Sequence, residues 1–392
     1  YEQTSQEFRI NGNLGDSVNL TAGLYYWESE AYQFQESYDM WYFFGLGFGP
    51  EGGLNPGDVS QDLESVVDNE AYALFASIDW SLGEKWLLNL GGRYTYEEKS
   101  FTGGTGAFNY VPGGFPLVPS GPIRKLEDDW NEFSPRVALQ YYPNDDMMFF
   151  GSFSSGFKSG GFFARTQDIA GLNSYDPEYV DTWELGMKSE WWNNRARFNA
   201  TLFYSDYTDK QEDVIVPASD GSVGTIVTNA SDVEMYGAEL EFTALLTDKL
   251  SMYANLGLLE SEYTEFDADI NGDGIITDNS GLELRNAPET TFGIGADWVQ
   301  PIGNSELGLH YNYYWRDEYQ TIFQNNPLGE VDAAGFHNAS IEYNFLDHYK
   351  VSLYGRNLTD ERYARVILIT PVSNFGQYNA PRHYGVEFTL NF

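Results

Sequence analysis

The chain has no cysteine, which leaves it neither a disulfide framework nor a thiolate metal site. It has no run of about 18 apolar residues, so a membrane-spanning helix is excluded. Positive charge is scarce: 21 Lys and Arg stand against 59 Asp and Glu, a formal net charge of −38. No nucleic-acid partner is expected on that ground, because neutralising phosphates takes a basic surface. Divalent cations are better company. The opening residues, YEQTSQEFRI, lack a charged region followed by an apolar one and are expected to belong to a mature or truncated chain.

What is present is aromatic and alternating. Phe, Trp and Tyr make up 17% of the chain, yet its mean hydropathy is only −0.42. At the C-terminus Tyr384, Val386, Phe388, Leu390 and Phe392 share one parity, while Gly385, Glu387, Thr389 and Asn391 take the other. Ala196 to Tyr204 and Tyr236 to Ala244 do the same, as do Val18 to Tyr26, Tyr72 to Trp80, Trp86 to Tyr94, Phe133 to Tyr141, Trp183 to Trp191, Leu250 to Leu258, Phe292 to Trp298 and Leu307 to Trp315. Period-two alternation reads as strands with one apolar face.

A soluble sandwich alternates too, and the charges decide between the two solvents. Arg93, Arg136, Glu184, Lys188, Arg195, Arg197, Glu239, Glu241, Asp297, Glu342 and Glu387 all fall on the polar parity of their segments. A charge facing lipid near the midplane costs roughly 2–4 kcal/mol, whereas a wet lumen tolerates it. Connections point the same way. Short turns at 11–16, 81–85, 143–146, 193–194, 247–249, 301–304 and 346–348 alternate with long loops at 29–65, 100–127, 158–177, 209–228, 265–284, 318–331 and 366–378. Aromatics gather beside the short turns, at Trp80, Trp86, Tyr141, Trp191, Trp298 and Tyr349, as a membrane-interface girdle does. The fold class is therefore all-β: a transmembrane, up-and-down antiparallel β-barrel, with residues 1–392 as one barrel unit. About fifteen strands are counted. Single-chain bacterial barrels have even numbers of strands, and an unclosed sheet in lipid leaves an edge unpaired, so further strands are expected ahead of Tyr1.

Five stretches resemble TonB-dependent outer-membrane receptors, in order: FFGSFSSGFKSGGFFA (149–164), the run from YDPEYVDTWELG at 175 to 209, NASDVEMYGAELEFTA (229–244), LRNAPETTFGIGADW (284–298) and YGRNLTDERYA (354–364). The ending APRHYGVEFTLNF is similar to that family's last strand, whose terminal aromatic resembles the signal read by the barrel-assembly machinery. The resemblance implies a barrel of about 22 strands around an N-terminal plug, preceded by a segment that binds TonB. Neither plug nor TonB-binding segment is found in this chain. It further implies an outer-membrane location among lipid and lipopolysaccharide in a Gram-negative bacterium. The implied activity is energised import of a scarce nutrient, a ferric siderophore first, with cobalamin, haem or glycans as alternatives. The acidic balance disfavours a strongly anionic ferric complex. A passive porin and an adhesin-like surface receptor are the rival readings; no enzyme is expected.

No catalytic constellation stands out. His310, His337, His348 and His383 lie on separate strands or turns and form no close-spaced metal pair. GFKSGG (156–161) lacks the Lys-Ser/Thr and following helix of a phosphate loop and reads as a strand-to-loop transition. Arg93, Arg136, Lys188, Arg195 and Arg197 are candidates for contact with a plug or substrate; a solvated lumen is the plain alternative. Trp41, Tyr42, Phe43 and Phe44 form an apolar cluster in a loop that faces outside, and exposed apolar clusters mark contact sites. Packing among loops is the alternative there. Last, DADINGDGIITDNS (267–280) resembles a calcium loop in two overlapping, incomplete frames, with Asp267, Asp269, Asn271, Asp273, the Ile275 carbonyl and Asp278 as oxygen donors. A solvated loop with Asn-Gly and Asp-Gly turns needs no ion.

Overall fold

The computed structural model describes residues 1–38, 59–110, 116–118, 123–162, 174–217, 223–270, 274–322, 325, 327–346, 348–369 and 374–390. Fifteen long strands follow one another: β1 Glu2–Leu14, β2 Val18–Tyr38, β3 Val59–Ser81, β4 Trp86–Tyr110, β5 Arg124–Asn144, β6 Met147–Lys158, β7 Glu178–Trp191, β8 Ala196–Pro217, β9 Val223–Thr247, β10 Leu250–Ala268, β11 Thr290–Ile302, β12 Ser305–Arg316, β13 Ala334–Phe345, β14 Tyr349–Arg356 and β15 His383–Leu390. Each pairs antiparallel with the next, from β1–β2 through to β14–β15. This is the meander that the alternation predicts, and the short turns read at 81–85, 143–146, 193–194, 247–249 and 301–304 fall there; the first differs, because residues 11–14, read as part of the turn, continue β1 in register with β2 and the turn is at 15–17. Several tight ends use left-handed backbone: Gly15, Gly83 and Gly303 lie at positive φ, as does the run Trp192–Asn193–Asn194, where the two asparagines suit that conformation.

Register keeps the two faces separate across the sheet. Leu202 sits between Leu185 and Ala238, and Ala200 between Met187 and Leu240. One residue along, Asn199 lies between Lys188 and Glu241. The apolar face is uncovered: Leu185 is 63% exposed, Leu202 57% and Val386 72%. So large an apolar surface is stable against lipid and not against water. The polar face is the hollow one, since a concavity spanning β5 to β9 is lined wholly by residues of that parity. A one-residue slip would turn every charge into lipid, so register is strongly specified.

The outer limit of the lipid face is marked by two successive rungs. Tyr26, Tyr72 and Tyr96 are cross-strand partners, and two residues further out so are Glu28, Glu70 and Glu98. Each phenol donates to the neighbouring carboxylate, at 2.5, 3.1 and 3.3 Å respectively. Charge on the outward face begins only here.

Beyond those rungs the strands differ from the sequence expectation. Segments read as long loops carry strand pairing: β4 runs for 25 residues, although about 9–11 cross a bilayer. Pairs also form between Gly161–Phe162 and Ser174–Tyr175, Tyr319–Gln320 and Glu330–Val331, and Ala364–Ile369 and Asn374–Tyr378. The reason is that both faces of a ribbon outside the membrane are wet, so hydrophobic alternation stops while backbone pairing continues.

Candidate functional site: the inner wall and the mouth

The inner wall has a hollow of about 350 Å³ lined by Arg136, Gln140, Glu184, Lys188, Glu239 and Glu241 among others. Ser152 Oγ donates to Glu184 at 2.7 Å. Arg136 and Lys188, on β5 and β7, are brought together in it, both exposed. Arg197 lines an adjacent hollow with Lys188 and pairs with Glu190 at 2.8 Å. Arg93 stands apart on β4. Its guanidinium lies 5.0 Å from the Tyr25 ring, and its Nε donates to Thr95 at 3.0 Å. Arg195 is not in the wall: it sits in the turn before β8 and reaches the next turn, pairing with Asp248 at 2.8 Å and donating to the Leu245 carbonyl. Of the four histidines, His310 bonds Asp297 at 2.6 Å, with Glu342 at 3.8 Å on its other nitrogen. His337 contacts Tyr311 and Tyr313 on the outward face.

At the mouth the inside-polar rule fails. Tyr207, Val233 and Tyr263 keep inner parity yet are apolar or aromatic, and Val233, Tyr263, Phe266, Ala268 and Leu284 form a buried cluster. Residues 274–289 fold back over this face and exclude water from it. Asn279 fixes their return by donating to the carbonyls of Phe266, Ala268 and Thr277 at 3.2, 3.0 and 2.7 Å. In the same cluster Glu212 is fully buried and accepts from Tyr263 Oη at 2.9 Å, from Arg285 at 2.8 Å and from Lys210. Burial and the Glu212 charge push the Tyr263 phenol far above the usual tyrosine range.

The glycine-rich motif is the second anchor. Lys99 donates to Ser159 Oγ at 2.6 Å and to the Gly160 carbonyl at 2.8 Å, and pairs with Glu97 at 3.1 Å. A Cβ at Gly160 would lie 2.2 Å from the Tyr175 carbonyl and 2.5 Å from the Trp130 indole, so only glycine fits. GFKSGG thus fastens the end of β6 to the inner wall over buried Phe101 and Trp130. A third anchor is Arg316, buried between the rings of Tyr319 at 4.5 Å and Tyr363 at 4.4 Å, and donating to the Asp317 and Asp332 carbonyls. Sequence reasoning gave no role to Glu212, Arg285 or Arg316: Glu212 and Arg316 lie outside the five family-like stretches, and Arg285, inside LRNAPETTFGIGADW, has its partner on a distant strand.

In the candidate calcium loop, Asn271 and Asp273 lie outside the described residues. Asp269 Oδ2 accepts from the Gly274 amide at 2.7 Å, and Asp278 accepts from the Ser280 amide at 3.0 Å. The latter bond holds the Asp278 carboxyl below the usual carboxylate range. Asp267 and Asp278 are partners in a short antiparallel pair, and Ile275 is exposed. Among the described residues no three acidic or histidine groups converge as a metal set. Trp41, Tyr42, Phe43 and Phe44 also lie outside the described residues.

An antiparallel meander with an apolar outer face, a charged hollow face and interlocked loops at one end is the wall of an outer-membrane type of β-barrel. The family profile "TonB dependent receptor-like, beta-barrel" matches residues 1–358, and the chain belongs to that family. It is 25% identical over 267 residues to PbuA, the ferric-pyoverdine M114 receptor of Pseudomonas sp. (strain M114), a match covering 67% of this chain and 30% of that protein. Among solved structures it resembles the ferric yersiniabactin uptake receptor FyuA of Yersinia pestis, with TM-score 0.79 at 17% identity, over 100% of this chain and 54% of that one. The siderophore receptor PiuA of Acinetobacter baumannii gives 0.71 at 17%, over 99% and 55%. The chain therefore spans between about a third and a half of these relatives.

Proposed function

We propose that the protein to which this chain belongs is an outer-membrane active transporter that imports a ferric siderophore, with this chain forming much of the barrel wall and mouth. The observation that carries the reading is the joining of a charged inner wall to a family whose similar members include the ferric-pyoverdine receptor PbuA and the siderophore receptor PiuA. Its partners are the ferric complex, the TonB complex as energy source, the barrel-assembly machinery, and the lipid and lipopolysaccharide that cover the outward face. The net charge of −38 favours a ferric complex of low negative charge. The test is uptake of radioactive iron from a panel of purified siderophores by cells with and without the full-length protein. Saturable uptake of one complex, lost when TonB is deleted, is expected. Large steady conductance in planar bilayers with no TonB dependence would instead favour a porin.

A calcium ion in residues 267–280 is a separate proposal, supported by the outward loop and its oxygen donors. Affinity is expected in the roughly 0.1–1 mM range of extracellular modules. Calorimetry on the full-length protein is expected to show calcium heats that disappear in the Asp269→Ala, Asp273→Ala double variant. Identical heats in both proteins would remove the site.

A further inference from the structure

We propose that residues 274–289 form a strap across the inner face of the mouth, that the buried Glu212 cluster is its clasp, and that the strap and the neighbouring pair of strands 319–320 and 330–331 are held and released as one unit. Three observations carry this.

The first is the asymmetry of the clasp. Glu212 has no exposed surface, yet one of its cations, Lys210, belongs to its own strand, while the other, Arg285, is brought by the strap. Arg285 also lies 3.8 Å from Asp213. A buried carboxylate that loses a partner while still buried is strongly destabilised. When the strap lifts, however, water reaches Glu212 and Lys210 stays beside it. The open arrangement is therefore tolerated, and the intermediate one, strap closed without Arg285, is not. That is the energetic form of a latch with two states.

The second is that beside Arg285 the strap is held by apolar contact, while its start is pinned separately, by the pairing of 267–268 with 277–278 and by Asn279 on the Phe266 and Ala268 carbonyls. Leu284 packs with Phe266 and Ala268 against Val233 and Tyr263, and Tyr263 donates to Glu212 from the same cluster. The phenol and the carboxylate thus link the apolar and ionic halves of the clasp.

The third is the coupling. The Asn286 amide donates to the Gln320 carbonyl at 2.7 Å, and Arg285 forms a bridge with Gln320. The Glu283 amide donates to Asn325 Oδ1 at 2.6 Å, and Asn325 Nδ2 returns to the Glu283 carbonyl at 3.2 Å. Residues 319–320 pair in turn with 330–331. Backbone bonds therefore run from the clasped end of the strap directly into the strand pair, so lifting Arg285 withdraws partners from both. Glu212 and Arg285 are positioning residues for the shape of the mouth.

The test is amide hydrogen exchange, followed by mass spectrometry, on the full-length protein in detergent micelles. Heat-modifiable mobility reports the intact barrel. Arg285→Met is expected to speed exchange more than a hundredfold in both 282–286 and 319–321, the size set by loss of one partner from a buried pair, with β7 to β12 unchanged. Arg285→Lys, which restores the charge, is expected to restore most of the protection. Glu212→Gln is expected to match Arg285→Met. Unchanged exchange in Arg285→Met, release of the strap without the strand pair, or no recovery in Arg285→Lys would each overturn the proposal.

Discussion

Leu202→Arg is expected to abolish barrel assembly, while Thr201→Arg, one residue away, is expected to leave it intact. Leu202 lies on the outward face of β8, in the apolar run from Ala196 to Tyr204, with Leu185 and Ala238 as cross-strand partners, and is 57% exposed. A guanidinium facing lipid costs roughly 2–4 kcal/mol at the midplane and less toward the interface. That is a large fraction of the stability of an ordinary fold. Thr201 faces inward, opposite Gly186 and Glu239. An arginine at that point meets water and a carboxylate, and an exposed pair of that kind contributes only about 0–1 kcal/mol. Heat-modifiable mobility of protein recovered from outer membranes checks both variants. Equal behaviour of the two would mean that the faces are not divided as described.

That division was legible in the sequence because hydrocarbon imposes it on every residue it touches. The parity of Glu239 and Glu241 against Leu240 and Phe242 is a direct record of which side is wet. The short turns were legible for a related reason: Asn193, Asn194 and Gly303 take backbone conformations that few other residues accept. The strand ends on the other side were not. Past the Tyr26–Tyr72–Tyr96 rung both faces meet water or protein, so no solvent writes a period into the chain, and β4 and β9 extend unannounced into segments that read as loops.

The mouth was the least legible region, and the reason is again physical. The inner-parity Val233 and Tyr263 are buried because residues 274–289 return over them, a contact between positions distant in sequence. Glu212 looks like one of many solvated carboxylates until Arg285, 73 residues away, is placed beside it. GFKSGG was visible as a motif, but its role was not. The Gly160 requirement comes from the Trp130 indole and the Tyr175 carbonyl, neither of which neighbours it in the chain. Of the basic residues singled out, Arg136 and Lys188 meet in one hollow, whereas Arg195 serves a turn. Parity alone cannot separate a residue in the wall from one at its rim.

The most direct test of the central claim, a wall apolar toward lipid and charged toward a wet interior, is single-cysteine labelling of the full-length protein in native outer membranes. Residues 1–392 hold no native cysteine, and any elsewhere in the full-length protein is first replaced by serine. Cysteines at Glu239, Glu241, Arg197 and Glu387 are predicted to react with a membrane-impermeant maleimide once the outer membrane is made leaky to it. Cysteines at Leu240, Phe242, Phe198 and Phe388 are predicted to resist that reagent and to react with a lipid-soluble one. Reaction of the water-soluble reagent at Leu240 and Phe388, with none at Glu239 and Glu387, would contradict the account.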